Sequence, residues 1–300
     1  MLTLALETPY TVSSIVGEVL DVLHSYTRDQ DQHTSLATAI TDTATSFTVN
    51  DSKLLSRGLV EIEDELVYAS SVDSTNGAAT IEPWGRGQSG STAVAHSANA
   101  RVTMAPLYPR IRVANVIAGV LREVFPRVFA VDETNLDITL AQTNYVLPTD
   151  AYQVLSVEWN LPGPSGMWAP VQRWRQNKPL AGVELEILSP VFPGSNQVRV
   201  KYMKRPPTEW SMADDLGTTY GYDHEIRDLI VLGAVARSLA YTGPSRLQVS
   251  SMEAHGRSAD VPAEALDRLA RSFYAQFRQR LEDERMQILL RHPIQPHRSA

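Results

Sequence analysis

The segment 85–92 comes closest in composition to a ligand-binding loop, because Gly85, Gly87 and Gly90 follow a strand-like apolar pattern. Glycine-rich loops after strands bind phosphate when a helix begins at the loop. A nucleotide P-loop also needs a lysine before its serine or threonine, and a dinucleotide site needs an apolar helix after the glycines. The segment has neither feature. We therefore predict a tight turn whose glycines adopt positive φ angles.

The histidines and a nearby serine are the next candidates for chemistry. The seven histidines include no helical pair at metal-ligand spacing, and the chain has no cysteine. His96 follows the glycine segment and could activate Ser91, but no nucleophile elbow surrounds that serine and no third group orients the histidine. The sequence therefore predicts no catalytic residue, no metal site and no cofactor, and we expect that the protein is not an enzyme.

Four carboxylates fall within five residues, at Glu61, Glu63, Asp64 and Glu65. A calcium loop alternates such oxygens with a glycine-containing turn, and this run lacks that frame. The simplest interpretation is a solvated acidic face of a β-hairpin. Two others stay open: an acidic patch that meets a basic neighbour at an interface, or one that faces a lumen and repels DNA phosphates.

Aromatic side chains suggest a third kind of site. Three of the five tryptophans fall within 16 residues, at Trp159, Trp168 and Trp174. Exposed tryptophans stack on sugar rings or anchor protein interfaces, whereas buried ones pack between sheets and helices. Core packing is the first expectation, and the interface and carbohydrate interpretations stay open.

The end of the sequence favours an extended arm. Two prolines prevent a helix and favour a conformation that loses little entropy on docking. A frayed tail is the alternative. We predict partner binding by five residues of this arm, namely Ile294, Gln295, Pro296, His297 and Arg298.

The composition describes a folded protein of 300 residues, 43% of them apolar, with no window of about 18 apolar residues that could span a membrane. The formal charge of −7 argues against sequence-independent DNA binding as the main activity. The acid excess is local: residues 1–107 carry 5 Lys and Arg against 13 Asp and Glu, and the remainder is nearly balanced.

Helical periodicity predicts helices at 11–25 and 108–125 and two more at the end of the chain, the first capped by Asp223 and ended by Gly243-Pro244, the second starting near Pro262. Short strand patterns lie between them, too close together for crossover helices, so both sheets should be antiparallel. The predicted fold class is α+β: a helical bundle with a long C-terminal helix, an inserted small antiparallel β module and a second antiparallel β sheet.

The same patterns predict the domain organisation. We expect a helical body whose N-terminal part is 1–33 and 107–129, an inserted β module at 34–106, a second β-sheet region at 130–210, the C-terminal helices of the body at 211–292 and the extended arm at 293–300.

Two stretches resemble known proteins. The letters E-I-E-D-E-L-V-Y at 61–68 and G-R-G-Q-S-G-S-T-A-V-A-H at 85–96 resemble an "E-x-V … R-G-x-x-G-T-x-A-x-x-H" module of tailed-bacteriophage virion proteins, with Ser91 displacing the usual Gly-Thr pair. The order from 145 onward is similar to phage head-to-tail adaptor (connector) proteins: Y-V-L-P-T-D-A at 145–151, a linker with Trp174-Arg175, a strand ending at Arg205-Pro206, and helices at 225–237 and 273–277.

This resemblance implies a structural virion protein that forms a ring, commonly of twelve copies, under the portal. Its partners would be itself, the portal and the next neck protein, a stopper or tail terminator, with genomic DNA passing through the channel without sequence-specific binding and no membrane. It would be assembled in the host cytoplasm and lie in the virion neck. A tail or baseplate protein is the first alternative, and a carbohydrate-binding or carbohydrate-cleaving appendage the second.

Overall fold

A computed structural model describes residues 10–26, 31–139, 142–161, 167–179, 182–188, 197–253 and 263–293. Side chains are described in these ranges except at 242–253 and 263–266. The chain divides into two compact units. The six-stranded unit comprises Thr11–Gly119 and Val231–Tyr274, and the seven-stranded unit comprises Met1–Tyr10, Val120–Ile230 and Ala275–Ala300.

Four α-helices occur in the described part of the chain: α1 (Val12–Ser25), α2 (Arg110–Val124), α3 (Arg227–Glu253) and α4 (Ala263–Arg291). The helix α1 begins where predicted, because the Thr11 hydroxyl accepts a hydrogen bond from the Ser14 N–H and caps the first turn. Its apolar residues recur at three- and four-residue steps, and six of them are buried. None of the described helices is both long and apolar enough to cross a membrane.

Thirteen strands occur in the same residues. They are β1 (Gln32–Ser35), β2 (Ser46–Thr48), β3 (Gly58–Ile62), β4 (Glu65–Asp73), β5 (Ala78–Ile81), β6 (Arg101–Met104), β7 (Ala130–Asp137), β8 (Asn144–Val146), β9 (Ala151–Asn160), β10 (Trp168–Pro170), β11 (Trp174–Asn177), β12 (Glu184–Ile187) and β13 (Gln197–Lys204). Every pairing between them is antiparallel, as the short connections predicted.

The first six strands form one sheet in the order β1-β6-β3-β4-β5-β2. The strands β3 and β4 are a hairpin in which Ile62 lies opposite Glu65, so the loop is only Glu63 and Asp64. Glu63 takes a φ of 54°, the left-handed conformation that tight hairpin loops require. Apolar side chains of the strands and their loops form a core of their own, which includes Leu36, Phe47, Val60, Ile62, Val67, Ile81 and Val102.

The seven-stranded unit contains a four-stranded sheet, β10-β9-β13-β7, and a three-stranded sheet, β11-β12-β8. One buried cluster includes residues of both sheets, among them Val157 and Val200 of the first and Leu185 of the second. The Gln176 amide reaches from β11 to the backbone of β9, where it accepts from the Val154 N–H and donates to the Tyr152 carbonyl. These contacts make the two sheets the layers of one core.

The predicted helical bundle is wrong, because the described residues form thirteen strands in three antiparallel sheets beside only four α-helices. Hydrophobic periodicity identified the helices but not their packing partners, because a helix that packs on a sheet and one that packs on other helices show the same periodicity. Neither of the two strand cores contains a described helical residue. These two cores are therefore built by strands and their connections. The antiparallel sheets and the long C-terminal helix are the parts of the predicted class that the structure retains.

The predicted end of α3 is also wrong, because the helix continues past Gly243-Pro244 to Glu253. A proline removes one helical hydrogen bond at a cost of about 3 kcal/mol, which a local rule treats as a stop. In a helix of 27 residues the turns on both sides can outweigh that cost. The predicted start near Pro262 agrees with α4, whose 29 residues span about 43 Å.

Candidate functional site

The acidic hairpin of β3 and β4 is the centre of the candidate site. Glu61 and Glu65 are 4% and 2% exposed, whereas the side chains of Glu63 and Asp64 at the loop are 54% and 43% exposed. The expectation of a solvated acidic face therefore fails for Glu61 and Glu65. An interface or lumen role for the four carboxylates stays a prediction, and only Glu63 and Asp64 are exposed enough to take part directly.

Arg86 from the glycine segment holds Glu65 through two parallel hydrogen bonds. Arg86 Nε lies 2.6 Å from Oε1 and Nη2 lies 2.8 Å from Oε2. The remaining donors of the guanidinium reach the carbonyls of Thr41, Ala44 and Val94 at 2.8, 3.4 and 2.7 Å. Such a fork-to-fork pair is the strongest common ion-pair geometry, and here Arg86 links the β1–β2 and β5–β6 connections to β4.

His96 lies between two carboxylates of the hairpin. Its Nδ1 is 2.8 Å from Glu63 Oε2, and its Nε2 is 3.0 Å from Glu65 Oε2. Burial by itself lowers the pKa of the His96 imidazole, but the hydrogen bonds with Glu65 and Glu63 raise it above the ordinary value. The backbone of His96 also exchanges two hydrogen bonds with Ile40, both at 2.9 Å.

The pKa of Glu65 shows that hydrogen bonding outweighs burial at the centre of this network. Burial would raise that pKa, but hydrogen bonds from Arg86, His96 and the N–H groups of Val94 and Gly87 lower it to about 2. Glu65 is therefore an anion at any pH well above 2.

The glycine segment forms the predicted structural turn. Gly87 and Gly90 have φ angles of 63° and 86°, and the Gly87 N–H donates to Glu65 at 3.1 Å. Gly85 has a different role, because a Cβ there would lie 2.8 Å from the Tyr68 carbonyl oxygen. Ser91 Oγ accepts from the Leu66 N–H at 3.0 Å and lies 2.9 Å from the Gln88 carbonyl oxygen. Ser91 and His96 thus have separate backbone and carboxylate partners.

Sequence reasoning missed Arg110, the first residue of α2. Its backbone N–H donates to Glu61 at 2.5 Å, its Nε donates to Asp64 at 2.6 Å and its Nη2 donates to Ser13 Oγ at 2.7 Å. Burial raises the pKa of Glu61 to about 7, although the Arg110 N–H opposes the change. An arginine in the first turn of a helix is unfavourable for the helix dipole, and that was the signal that its partner would be an acid.

A cavity of about 470 Å³ lies in the seven-stranded unit beside the last turn of α4. Its walls include Val131, Lys201, Tyr222, Asp223, Ile288 and His292. Arg291 hydrogen-bonds to Asp223 and Glu225, so the end of α4 is fixed to the start of α3. Burial, with help from Lys201 and Arg291, lowers the pKa of His292. The predicted arm residues Ile294, Gln295, Pro296, His297 and Arg298 lie outside the described residues.

The tryptophan cluster is mostly core. Trp159 and Trp174 are 5% and 3% exposed and belong to the shared core of the two sheets, which confirms the expectation of packing for both. Trp168 is half-buried, and the Arg199 guanidinium lies 4.5 Å from its ring centroid. Trp84 is more exposed than any of these three tryptophans: it is 61% exposed and stacks on Tyr68.

No protein-family model and no curated protein matches this chain. Solved structures that match include a chain of "Neck of empty GTA particle computed with C6 symmetry", with 14% identity over 54% of this chain and 77% of that chain and a TM-score of 0.24. A chain of "Neck of native GTA particle computed with C12 symmetry" has 16% identity over 53% of this chain and 80% of that chain, with a TM-score of 0.23. The structural similarity to these neck proteins is weak.

Proposed function

We propose that this chain is a structural protein of a virion neck, a head-to-tail adaptor whose copies form a ring between the portal and the tail. The supporting observation is the network of Glu65, Arg86 and His96. These residues belong to the module that resembles phage virion proteins, and each is held on several sides by neighbours in the same unit. Groups held in this way fix the shape of a loop, which is the requirement of an assembly protein.

A ring of twelve copies, as the resemblance implies, needs a heterologous interface that closes by rotation. Such a ring works through shape and many weak contacts, so no catalytic step is part of the proposal. It would continue the DNA channel from the portal to the next neck protein, a stopper or tail terminator. DNA would pass without being read in sequence.

The arm after Pro293 is proposed to dock on the portal. The described chain reaches this arm from the end of α4, which Arg291 holds against Asp223 and Glu225. An arm that leaves from a fixed helix end searches less space before docking, which lowers the entropy lost on binding. Deletion of residues 293–300 should weaken capture of the portal and leave the helices and sheets folded.

The test is the location and symmetry of the chain in the particle. Purified full-length protein, alone and with portal, should form rings in negative stain, and cryo-electron microscopy of the virion should place it between portal and tail. A position in the tail or baseplate would overturn the adaptor proposal while leaving a structural role. Absence from the particle, or catalytic turnover by the isolated chain, would overturn both.

A further inference from the structure

Tyr152, in β9 of the seven-stranded unit, carries two cations on its ring. Lys178 Nζ lies 4.2 Å from the ring centroid and Arg205 Cζ lies 5.9 Å from it. Both cations are exposed, and the edge of Phe125 contacts the same ring at a centroid distance of 4.9 Å. Cation–π contacts of this kind hold long side chains in place without neutralising their charge.

Neither cation has a carboxylate within 4 Å among the residues that the structure describes. Three nearby acids are already paired with other cations: Lys204 pairs with Asp132 and Asp150, and Arg175 pairs with Glu186. Two like charges that share one ring repel each other, and neither of them is compensated by an ion pair within the described residues. An anion from another molecule would therefore bind favourably to Lys178 and Arg205.

A third cation extends the same surface. Arg122, on α2, donates a hydrogen bond from Nη2 to the Thr208 carbonyl at 3.4 Å, three residues beyond Arg205. The Arg122 side chain is exposed and has no ion pair in the described part of the chain. We call Arg122, Tyr152, Lys178 and Arg205 the Tyr152 patch.

The chemistry of the patch favours a phosphate backbone over a protein surface. Protein interfaces are centred on apolar or aromatic anchors and are depleted in lysine. Here the aromatic ring is covered by the two cations and by Phe125, so the surface offers charge and little apolar area. Nucleic-acid interfaces have this character, with lysine and arginine on phosphates and no apolar centre.

The spacing also fits. Lys178 and Arg205 lie within about 10 Å of each other, since both are close to one ring centroid. Phosphates on one strand of a duplex repeat every 3.4 Å along the helix axis, so two cations at this separation can each meet a phosphate of the same strand.

We propose that the Tyr152 patch binds the phosphodiester backbone of duplex DNA without reading its sequence. The source of the DNA rests on the proposed neck function, in which the genome passes through the ring. The binding itself is a property of the isolated chain. It would give a moving duplex a small number of weak, salt-sensitive contacts on an otherwise acidic protein.

The experiment measures binding of the full-length protein to a fluorescein-labelled 30-base-pair duplex by anisotropy between 50 and 200 mM salt. In the double variant Lys178→Gln/Arg205→Gln we expect affinity at 50 mM salt to fall about 10- to 100-fold. The slope of log K against log salt should become shallower by about 2, because two phosphate contacts are lost. The conservative variant Lys178→Arg/Arg205→Lys should retain most of the affinity and most of the salt dependence.

The matched control is Arg175→Gln/Arg271→Gln, which removes the same charge from exposed arginines already paired with Glu186 and Asp267. It should leave the slope unchanged. Equal slopes in the two double variants, or no binding by the wild type at 50 mM salt, would overturn the inference. Salt-dependent self-association lost in the Lys178/Arg205 variant, with DNA binding unaffected, would assign the patch to a second copy and overturn it as well.

The two proposals fail separately. A chain that sits in the neck but does not bind duplex through the patch removes only this inference. A chain that binds duplex through the patch but is absent from the neck removes only the proposed function.

Discussion

Glu65 and Arg86 face each other through two hydrogen bonds of 2.6 and 2.8 Å, with their side chains only 1% and 9% exposed. The residues are 21 positions apart, so the pair closes the segment from β4 to the glycine turn. A buried ion pair adds little net stability relative to apolar residues, but loss of one partner leaves the other charge buried and uncompensated. The pair therefore specifies one conformation of the loop.

Removal of the charge at one end of this pair should be costly. We expect Glu65→Gln to lower the free energy of unfolding of the six-stranded unit by about 3–5 kcal/mol, since the Arg86 guanidinium stays buried without its anion. Urea unfolding followed by circular dichroism measures the change. The control Arg271→Gln breaks a pair that is 79% and 58% exposed and should cost less than about 1 kcal/mol. A similar cost for both variants would show that burial does not set the strength of the pair.

Acid should weaken the same unit through Glu65. The folded pKa of Glu65, about 2, lies below the ordinary value of 4.5, so this carboxylate stabilises the fold above pH 4.5. Its contribution is lost as the pH falls from 4.5 through 2. Hydrogen exchange of the β3 and β4 amides should accelerate over this range relative to its intrinsic rate, and Glu65→Gln should remove that part of the acceleration. An unchanged acid limb in the variant would contradict the assignment.

Glu61 should act in the opposite direction. Burial raises its folded pKa to about 7, above the ordinary 4.5, so the stability linked to its protonated form is fully present below pH 4.5 and is lost as the pH rises through 7. The change amounts to about 3 kcal/mol at 1.36 kcal/mol per pKa unit. We expect Glu61→Gln to flatten the decline in protection of β3 between pH 4.5 and 7. His96, whose pKa is also raised, accounts for a decline that remains above pH 6.5 in this variant.

The local part of this fold was predictable and the pairing was not. The helix α1 follows from its own spacing and its Thr11 cap, and the antiparallel sheets follow from short connections. The partners of Glu65 are 21 and 31 residues away, and nothing in the local pattern selects Arg86 and His96 from the other cations of the chain. Hence the four carboxylates within residues 61–65 were expected to be solvated, although Glu61 and Glu65 are buried.

The helical bundle was expected for a similar reason. Periodicity gives an apolar face to a helix, but the choice between a helix and a sheet as its packing partner depends on contacts far apart in sequence. The shared core of Val157, Val200 and Leu185 shows how the sheets of the seven-stranded unit satisfy each other. That solution depends on three-dimensional pairing, which single-sequence patterns do not encode.

Gly85 and Gly90 lie in the same turn but should respond differently to a methyl group. A Cβ at Gly85 would lie 2.8 Å from the Tyr68 carbonyl oxygen and 2.9 Å from Ile81 Cγ2. Gly85→Ala would also strain the 2.7 Å hydrogen bond that the Tyr68 N–H donates to the Gly85 carbonyl. We expect a loss of about 3 kcal/mol. At Gly90 nothing lies within 4 Å, so Gly90→Ala carries only the strain of a φ of 86°, about 1 kcal/mol. Thermal unfolding compares the two, and equal losses would contradict the role of close packing at Gly85.

Arg291 should control the end of α4 and, through it, the arm. The guanidinium binds Asp223 and Glu225 on the neighbouring α3 region, whereas Arg285 pairs with Glu282 on its own helix. We expect Arg291→Gln to speed hydrogen exchange several-fold in the last turn of α4 and to weaken portal capture, because the arm then leaves from a frayed end. Arg285→Gln carries the same charge change without releasing α4 from α3, so it should alter neither readout. If Arg291→Gln leaves hydrogen-exchange protection in the last turn of α4 unchanged, apolar contacts of Ile288 hold the helix end. If portal capture is lost without any change in that protection, Arg291 belongs to the docking contact itself.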